Sequence, residues 1–302
     1  MPYFHLVFAI PAILGAIAYQ NKTRVYGLLL KAAAEALVTF ASDRQHLGAD
    51  IGITAVLHTW GAALQHHPHA HCIVPGGGIS PDGKRWIACK ATLFRPDVLS
   101  RLFRRLFLDG LTAAYQAGEL QFFNDLVTLK DPSKFTATLT AQWLVYSKKP
   151  FAGPRQVLGY LARYTHRVAI TNNRLIAIDE THVSFRWRIY RSSGRYRNKV
   201  MRITIAEFIR RFLLHVLPNG FHRIRYYGLL ANGHRASKLA HCRSLLDLPA
   251  AATPLREDHD GASRERVREP PPCPCRGGRM QIIETFNGLL SRPYHVRRLD
   301  GL

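Results

Sequence analysis

A run of histidines inside an apolar, strand-like segment constrains this chain more than any other feature. Residues 66–79 read HHPHAHCIVPGGGI, with His69 and His71 separated by one residue. Side chains at positions i and i+2 of a β-strand point to the same face, so these two imidazoles converge while Ala70 faces the other side. A lone buried histidine is usually structural, but two on one strand face can bind a metal ion.

A metal site of this kind needs a third ligand. His58 lies in the preceding strand-like run, and an adjacent antiparallel strand would bring it beside the pair. Gln65, His66 and His166 are the alternatives, and His66 and His67 also fit loop histidines with no role. Imidazole suits manganese, zinc or other borderline metals better than magnesium.

A pair of tyrosines forms the second candidate motif. Tyr160 and Tyr164 lie four residues apart in the helix-like segment YLARYTHR, so they share one face. Such spacing more often marks a packing stripe than a catalytic pair. Here Arg155, Arg163 and Arg167 surround the pair, and positive charge stabilises both a phenolate and a phosphodiester transition state. We therefore take both tyrosines as candidate nucleophiles.

The charge balance indicates a polyanionic partner. The chain has 42 Lys and Arg residues against 20 acidic ones, a formal net charge of +22. From Arg186 to Arg243 there are fourteen basic residues and one acid, Glu207, with aromatic residues such as Tyr226 and Tyr227 interleaved. More than half of those rings are expected in the core. Basic side chains that track phosphates, with rings on which bases stack, are typical of single-stranded DNA binding.

The predicted DNA-contacting residues are all arginines. Three surround the tyrosine pair and four belong to the basic segment that follows. They are Arg155, Arg163, Arg167, Arg186, Arg188, Arg210 and Arg211.

Length, termini and cysteine usage narrow the class of protein. At 302 residues and 47% hydrophobic composition, the chain can bury a full core. The apolar start has no basic n-region and contains Pro11, which favours a strand and a helix start over a signal peptide or membrane span. No membrane partner is expected. The five cysteines are odd in number and lack disulfide-like spacing, which indicates a reducing, cytoplasmic setting. With DNA as the expected partner, we expect the protein at the nucleoid. The oligomeric state stays open.

The chain divides by composition into three predicted segments. Residues 1–190 carry both motifs, 191–247 form a basic helical DNA-binding extension, and 248–302 read as a linker and tail rich in Pro, Ala and charge. Within 168–189 we expect short antiparallel strands, with Asn172-Asn173 as a hairpin turn.

Taken in order, the two motifs resemble the HUH endonucleases, specifically the two-tyrosine rolling-circle transposases of bacterial insertion sequences. The resemblance covers nearly the whole chain. It includes PYFHLVFAIP at the start, LHTWG before the histidine motif, WLVYSKKPFAGPRQVLGYLARYTHRVAI, VSFRWRIY, and FIRRFLLHVLPNGFHRIRYYGLLAN. So long a collinear match is far more specific than either motif alone.

The resemblance implies an α+β palm, in which a central antiparallel sheet carries the histidines and is flanked by helices. His69 and His71 would hold Mg or Mn, and the metal would polarise the scissile phosphate of single-stranded DNA. Tyr160 or Tyr164 would attack that phosphate, giving a 5′-phosphotyrosine and a free 3′-OH. The reverse reaction would join the strand to a new 3′-OH.

Two departures from the family pattern are visible. Members usually begin with a Cys/His-rich zinc-binding domain, whereas this sequence starts at the palm, which we interpret as a truncated copy or a mis-called start. The tail, usually Cys-Pro-x-Cys-Gly-Gly, reads Cys273-Pro-Cys275-Arg276-Gly-Gly, so a CxxC zinc half-site is lost and no structural zinc is expected.

Two other functions remain open alternatives to an active transposase. One is a catalytically inactive remnant that binds DNA without cutting it, and the other is a related relaxase or replication initiator. The collinear match argues against the relaxase or initiator, and the phosphate-loop pattern GxxxxGK[ST] of a fused helicase does not occur. Metal-dependent nicking separates the active enzyme from the remnant.

Overall fold

The structure is a computed structural model that describes most of the chain up to residue 249. The described residues are 2–89, 94–139, 143–151, 153, 155–157, 159, 169–188 and 198–249. The chain divides into two compact units, Met1–Ala251 and Ala252–Leu302, and the second lies outside the described residues. The predicted segment boundaries after residues 190 and 247 stay predictions.

The first unit mixes strands and helices along the chain. The strands are β1 (Tyr3–Ala9), β2 (Gly52–Trp60), β3 (His66–Pro75), β4 (Gly77–Ile79), β5 (Trp86–Ala88), β6 (Leu144–Phe151), β7 (Leu175–Ile178), β8 (His182–Arg188), β9 (Asn198–Thr204) and β10 (Ile224–Gly228). The helices are α1 (Gly15–Gln20), α2 (Lys22–Ser42), α3 (Pro96–Gln116), α4 (Pro132–Thr138), α5 (Ile205–Leu213) and α6 (Arg235–Leu245).

A five-stranded antiparallel sheet forms the centre, in the order β10-β2-β3-β1-β6. Alternate residues of its strands pack against α2 and α3 on one face, because apolar side chains recur there with the two-residue period of a strand. In β1 these are Phe4, Leu6 and Phe8, each at most 2% exposed. The predicted α+β fold, with a central antiparallel sheet and flanking helices, is confirmed.

Helix α2 supplies much of this core. By length and composition it is the one helix among the described residues that is apolar enough to cross a membrane. In the structure, however, 61% of its most apolar window is buried within the protein. Leu29, Leu30 and Leu37 are fully buried in the core that the sheet and α3 share. Packing against the sheet accounts for its apolar character.

A second, three-stranded sheet follows in the order β7-β8-β9, with α5 packed on it. The hairpin turn predicted at Asn172-Asn173 is wrong, because these residues form a short 3-10 turn ahead of β7. The chain instead reverses between β7 and β8, where the Asp179 carboxylate accepts the backbone N–H groups of Thr181 and His182 at 2.9 and 2.7 Å. A carboxylate that bonds its own backbone two residues on makes an Asx turn, which defines the reversal.

The loop between β2 and β3 packs into the hydrophobic core beneath the three-stranded sheet. Leu64, at the loop's tip, is fully buried there beside Val183 and Phe185. Its φ of 61° is in the left-handed region that a leucine rarely adopts, so the surrounding contacts must hold it. Three consecutive loop carbonyls accept side-chain hydrogen bonds: Ala62 from Arg174 (2.5 Å), Ala63 from Arg211 (3.1 Å) and Leu64 from His215 (3.1 Å).

Truncating Leu64 should loosen this attachment. We expect Leu64→Ala to lower the free energy of unfolding by about 3 kcal/mol, because it removes buried contacts and leaves a cavity. The control is Ile178→Ala, since Ile178 is 65% exposed and its truncation should change stability by less than ~0.5 kcal/mol. Urea denaturation measures the free energy of unfolding of both variants. Equal effects would show that the buried Leu64 side chain adds nothing to stability.

Candidate metal centre

Three histidines converge on the face of the central sheet that points away from α2 and α3. His58 in β2 lies directly opposite His69 in β3, and His71 follows two residues later on the same face. Their ligand nitrogens all lie within 4.8 Å of one another. The structure therefore brings together the histidine pair and His58, the first candidate for the third ligand. We call these three residues the histidine triad.

The triad is compact and largely shielded from solvent. His58 and His71 are 2% and 7% exposed, whereas His69 is half-buried. The ring centroids of His58 and His71 are 4.2 Å apart, and those of His69 and His71 are 4.8 Å apart. Trp60 stacks on the His58 ring with a centroid separation of 4.7 Å and an interplanar angle of 15°. Such fixed, closely spaced rings can hold one metal ion between them.

Hydrogen bonds to the Nδ1 atoms of His69 and His71 indicate which nitrogens of these two rings face the centre. His69 Nδ1 lies 2.7 Å from the carbonyl oxygen of His67. A carbonyl only accepts, so Nδ1 of His69 carries the proton and Nε2 keeps the lone pair that a metal needs. His71 Nδ1 lies 2.8 Å from Nε2 of His5, and when it donates there, Nε2 of His71 is left as the ligand atom. Partners of this kind orient metal-binding imidazoles and raise their basicity.

The described alternatives for the third ligand lie elsewhere. His66 turns to the helix side of the sheet, where its Nε2 is 2.7 Å from the hydroxyl of Tyr26 in α2. Gln65 is used inside the β2–β3 loop, where its Oε1 accepts the backbone N–H of Ala63 at 2.9 Å. His166 lies outside the described residues.

His66 sits in a buried polar group of its own. Burial is the main cause that lowers its pKa to about 4, and the neighbouring His215 adds to the effect. Burial likewise lowers the pKa of His215, whose Nδ1 contacts the Thr59 hydroxyl at 3.2 Å. Burial also raises the pKa of Tyr26 well above its usual value, so the phenol stays protonated and donates to His66.

The remaining predicted site residues fall into three groups. Tyr160, Tyr164, Arg163 and Arg167 lie outside the described residues. Arg155, with helical backbone, and Arg186, in β8, are exposed, while Arg188 is the last residue of β8. Arg210 and Arg211 both pair with Glu207, at 2.6 and 2.7 Å. The catalytic and DNA-contacting roles of all these residues stay predictions.

Comparisons with known proteins identify the family. The Y2 transposase family model, described as "Putative transposase", matches residues 52–238, a span that includes the histidine triad. The chain is 55% identical over 301 residues to "Putative transposase y4qJ" of Sinorhizobium fredii, covering 96% of this chain and 75% of that protein. This chain belongs to the Y2 transposase family. The family resemblance predicted from the motifs is thereby confirmed.

A more distant relative extends the comparison of this Y2 transposase. The chain is 27% identical over 241 residues to "Transposase for insertion sequence element IS801" of Pseudomonas savastanoi pv. phaseolicola. That match covers 76% of this chain and 55% of the relative, so the chain spans about half of the IS801 protein's length. No solved structure matches the chain.

Sequence reasoning missed His5 of the Y2 transposase. It is 1% exposed in β1 and stacks on His71 with ring centroids 5.0 Å apart. Strand alternation puts His5 on the same face as Val7, which pairs with His71, but only the β1–β3 pairing shows this. The signal in the sequence was a single histidine in an otherwise apolar strand.

Removing the His5 partner should weaken metal binding. We expect His5→Leu to lower Mn²⁺ affinity by roughly 10- to 100-fold, because His71 loses the group that orients it. Titration calorimetry measures the affinity, and His5→Gln should largely restore it because the amide oxygen can accept the His71 proton. The matched control is His66→Leu, which makes the same change on the other face. Unchanged affinity in His5→Leu, or an equal loss in His66→Leu, would contradict this role.

The buried His66 group should make stability depend on pH. Its folded pKa of about 4 lies below the ordinary imidazole pKa of 6.5, so the unfolded chain binds more protons between these limits. We therefore expect stability to fall as the pH drops from 6.5 towards 4. In His66→Gln, whose amide can still bond Tyr26, urea denaturation across this range should show a shallower dependence. If stability fell equally with pH in the unmodified protein and in His66→Gln, His66 would not be the source of the pH dependence.

Proposed function

We propose that this Y2 transposase cuts and rejoins single-stranded DNA through a 5′-phosphotyrosine intermediate, in rolling-circle transposition of a bacterial insertion sequence. The observation that carries the proposal is the histidine triad, held on one face of an antiparallel sheet in a chain of net charge +22. Membership of a transposase family supports DNA as the substrate. We propose that it acts in the cytoplasm, at the nucleoid.

His58, His69 and His71 would hold the catalytic cation, which we propose to be Mn²⁺ or Mg²⁺. When bound, such a cation polarises the scissile phosphate and offsets the charge that develops on it. The donor set fits an ion of this class because two of its rings have hydrogen-bonded Nδ1 atoms and present Nε2. An all-imidazole set favours Mn²⁺ over Mg²⁺. The expectation of no structural zinc concerns Cys273 and Cys275, outside the described residues.

Tyr160 or Tyr164 would supply the nucleophile. The phenol oxygen bonds to phosphorus while the bond from phosphorus to the 3′ oxygen breaks, and that oxygen leaves as a 3′-OH. The 5′ phosphate stays on the tyrosine until another 3′-OH attacks it and restores the phenol. One phosphodiester replaces another, so no external energy source is needed. Because a phenol has a pKa of about 10, the positive charges of Arg155, Arg163 and Arg167 would help to form the phenolate.

The arginines of the later segment would hold the DNA backbone. Arg186 is exposed in β8, and Arg188 ends the same strand. Arg210 is also solvent-facing, although it shares Glu207 with Arg211. Arg211 is partly buried and also donates to the β2–β3 loop, so its contribution to DNA binding should be the smallest of the four.

The decisive experiment looks for a covalent protein–DNA adduct. The full chain is incubated with labelled single-stranded DNA from the ends of its own element and with Mn²⁺ or Mg²⁺, then run on a denaturing gel. We expect a metal-dependent adduct that is reduced by Tyr160→Phe or Tyr164→Phe and abolished by both together. Tyr19→Phe, at an exposed tyrosine on the helix side, is the matched control and should leave the adduct unchanged.

The histidine triad is tested in the same assay. His69→Ala with His71→Ala should lose the adduct but keep salt-sensitive DNA binding, because none of the proposed DNA-contacting arginines is changed. Survival of the adduct in the double tyrosine variant would remove these tyrosines from the mechanism. Binding without any adduct in the unmodified protein would instead identify a DNA-binding remnant.

A further inference from the structure

Two tyrosines are exposed to solvent on the face of the central sheet that carries the histidine triad. Tyr146 in β6 is 53% exposed and Tyr226 in β10 is 40% exposed. The neighbour of Tyr226 along the strand, Tyr227, turns to the other face and packs against the main core. Single exposed aromatic residues are common, so their positions must decide whether these two have a role.

The strand register places the two rings on opposite sides of the triad. Tyr146 pairs with Val7, which pairs with His71, so these residues form one row across the sheet. Tyr226 pairs with Thr54, which pairs with Ile73 in the adjacent row of the same face. Each ring therefore lies two strands from β3, about 10 Å at the usual spacing between strands.

The middle of this face is covered, whereas its two edges are accessible. Val56 and Ile73, between the edges, are 1% and 3% exposed, as closely buried as His58. At one edge, the Arg235 guanidinium lies over the Tyr226 ring, 5.5 Å from its centroid. The exposed part of each ring can therefore receive a planar group, and the Arg235 cation already lies against the Tyr226 ring.

We propose that Tyr146 and Tyr226 are two stacking subsites for unpaired nucleobases, one on each side of the phosphate bound at the triad. This inference rests on the proposed action on single-stranded DNA and adds the groups that hold the bases. Every base has a π-face, so aromatic rings bind an unpaired strand with little regard to sequence. Arg235 adds a positive charge for the phosphate next to the base on Tyr226. Bases paired in a duplex are already stacked and cannot use either ring.

The test is equilibrium binding without added metal, so that no cutting is needed. The full chain is titrated into a dye-labelled, mixed-sequence 20-nucleotide strand and, separately, into the matching duplex. Stacking on one ring suggests a loss of about tenfold in single-strand affinity for Tyr146→Leu or Tyr226→Leu. Duplex affinity should stay unchanged, and so should the salt dependence of single-strand binding, because no cation is removed.

Two further sets of variants separate stacking from a general structural effect. Tyr146→Phe and Tyr226→Phe keep the ring and should bind the single strand as the unmodified protein does. Tyr19→Leu removes a tyrosine of similar exposure, 44%, on the helix side and should also bind normally. The proposal is overturned if the Leu variants bind normally, if the Phe variants bind as poorly as the Leu variants, or if duplex affinity falls equally.

Failure of this inference can be told apart from failure of the proposed function. A protein that forms the phosphotyrosine adduct but shows no effect of the Leu variants keeps its function and loses these subsites. A protein that forms no adduct, yet loses single-strand affinity in the Leu variants alone, keeps the subsites and loses the transesterase reaction.

Discussion

The pairing of β2 with β3 is the constraint on which the site depends. It sets His58 opposite His69 and leaves His71 on the same face. A slip of one residue would turn every side chain of one strand to the other face and would separate the histidine triad. The loop between the strands limits such a slip because Leu64 is anchored in a second core, and three of the loop carbonyls accept side-chain hydrogen bonds.

The three-stranded sheet β7-β8-β9 and helix α5 therefore help to position the histidine triad, because they hold the β2–β3 loop. The same sheet and helix also carry arginines that we propose contact DNA. Arg211 illustrates the double use, since it pairs with Glu207 and donates to the Ala63 carbonyl. If Arg211 contacts DNA as proposed, removing its side chain would weaken DNA binding and the loop attachment together, and binding data alone would overstate its contact with DNA. Arg186, which is exposed in β8, is the cleaner probe of electrostatics.

How far the sequence could predict this site depends on the distance between partners along the chain. The pairing of His69 with His71 follows from strand periodicity alone, and His58 follows from the short connection between neighbouring strands. His5 lies 66 residues from His71, and no local pattern reports a contact over that distance. The hairpin prediction failed for a local reason, because the Asp179 side chain formed the turn that two asparagines had suggested elsewhere. Adjacent tyrosines at 226 and 227 looked alike in sequence, and only strand alternation separates the exposed ring from the core one.

If the protein cuts DNA as proposed, the burial of the histidine triad favours an unpaired strand as the substrate. His58 and His71 are almost inaccessible, so a phosphate bound at the triad must leave bulk water, and a low dielectric strengthens its attraction to nearby positive charge. A duplex keeps its bases in the stack and presents a stiff surface to these buried side chains. A single strand can bend one phosphate inward while its neighbouring bases turn out to the rings at the edges. Under the proposed function, the burial of the triad would therefore select against paired DNA before any base is recognised.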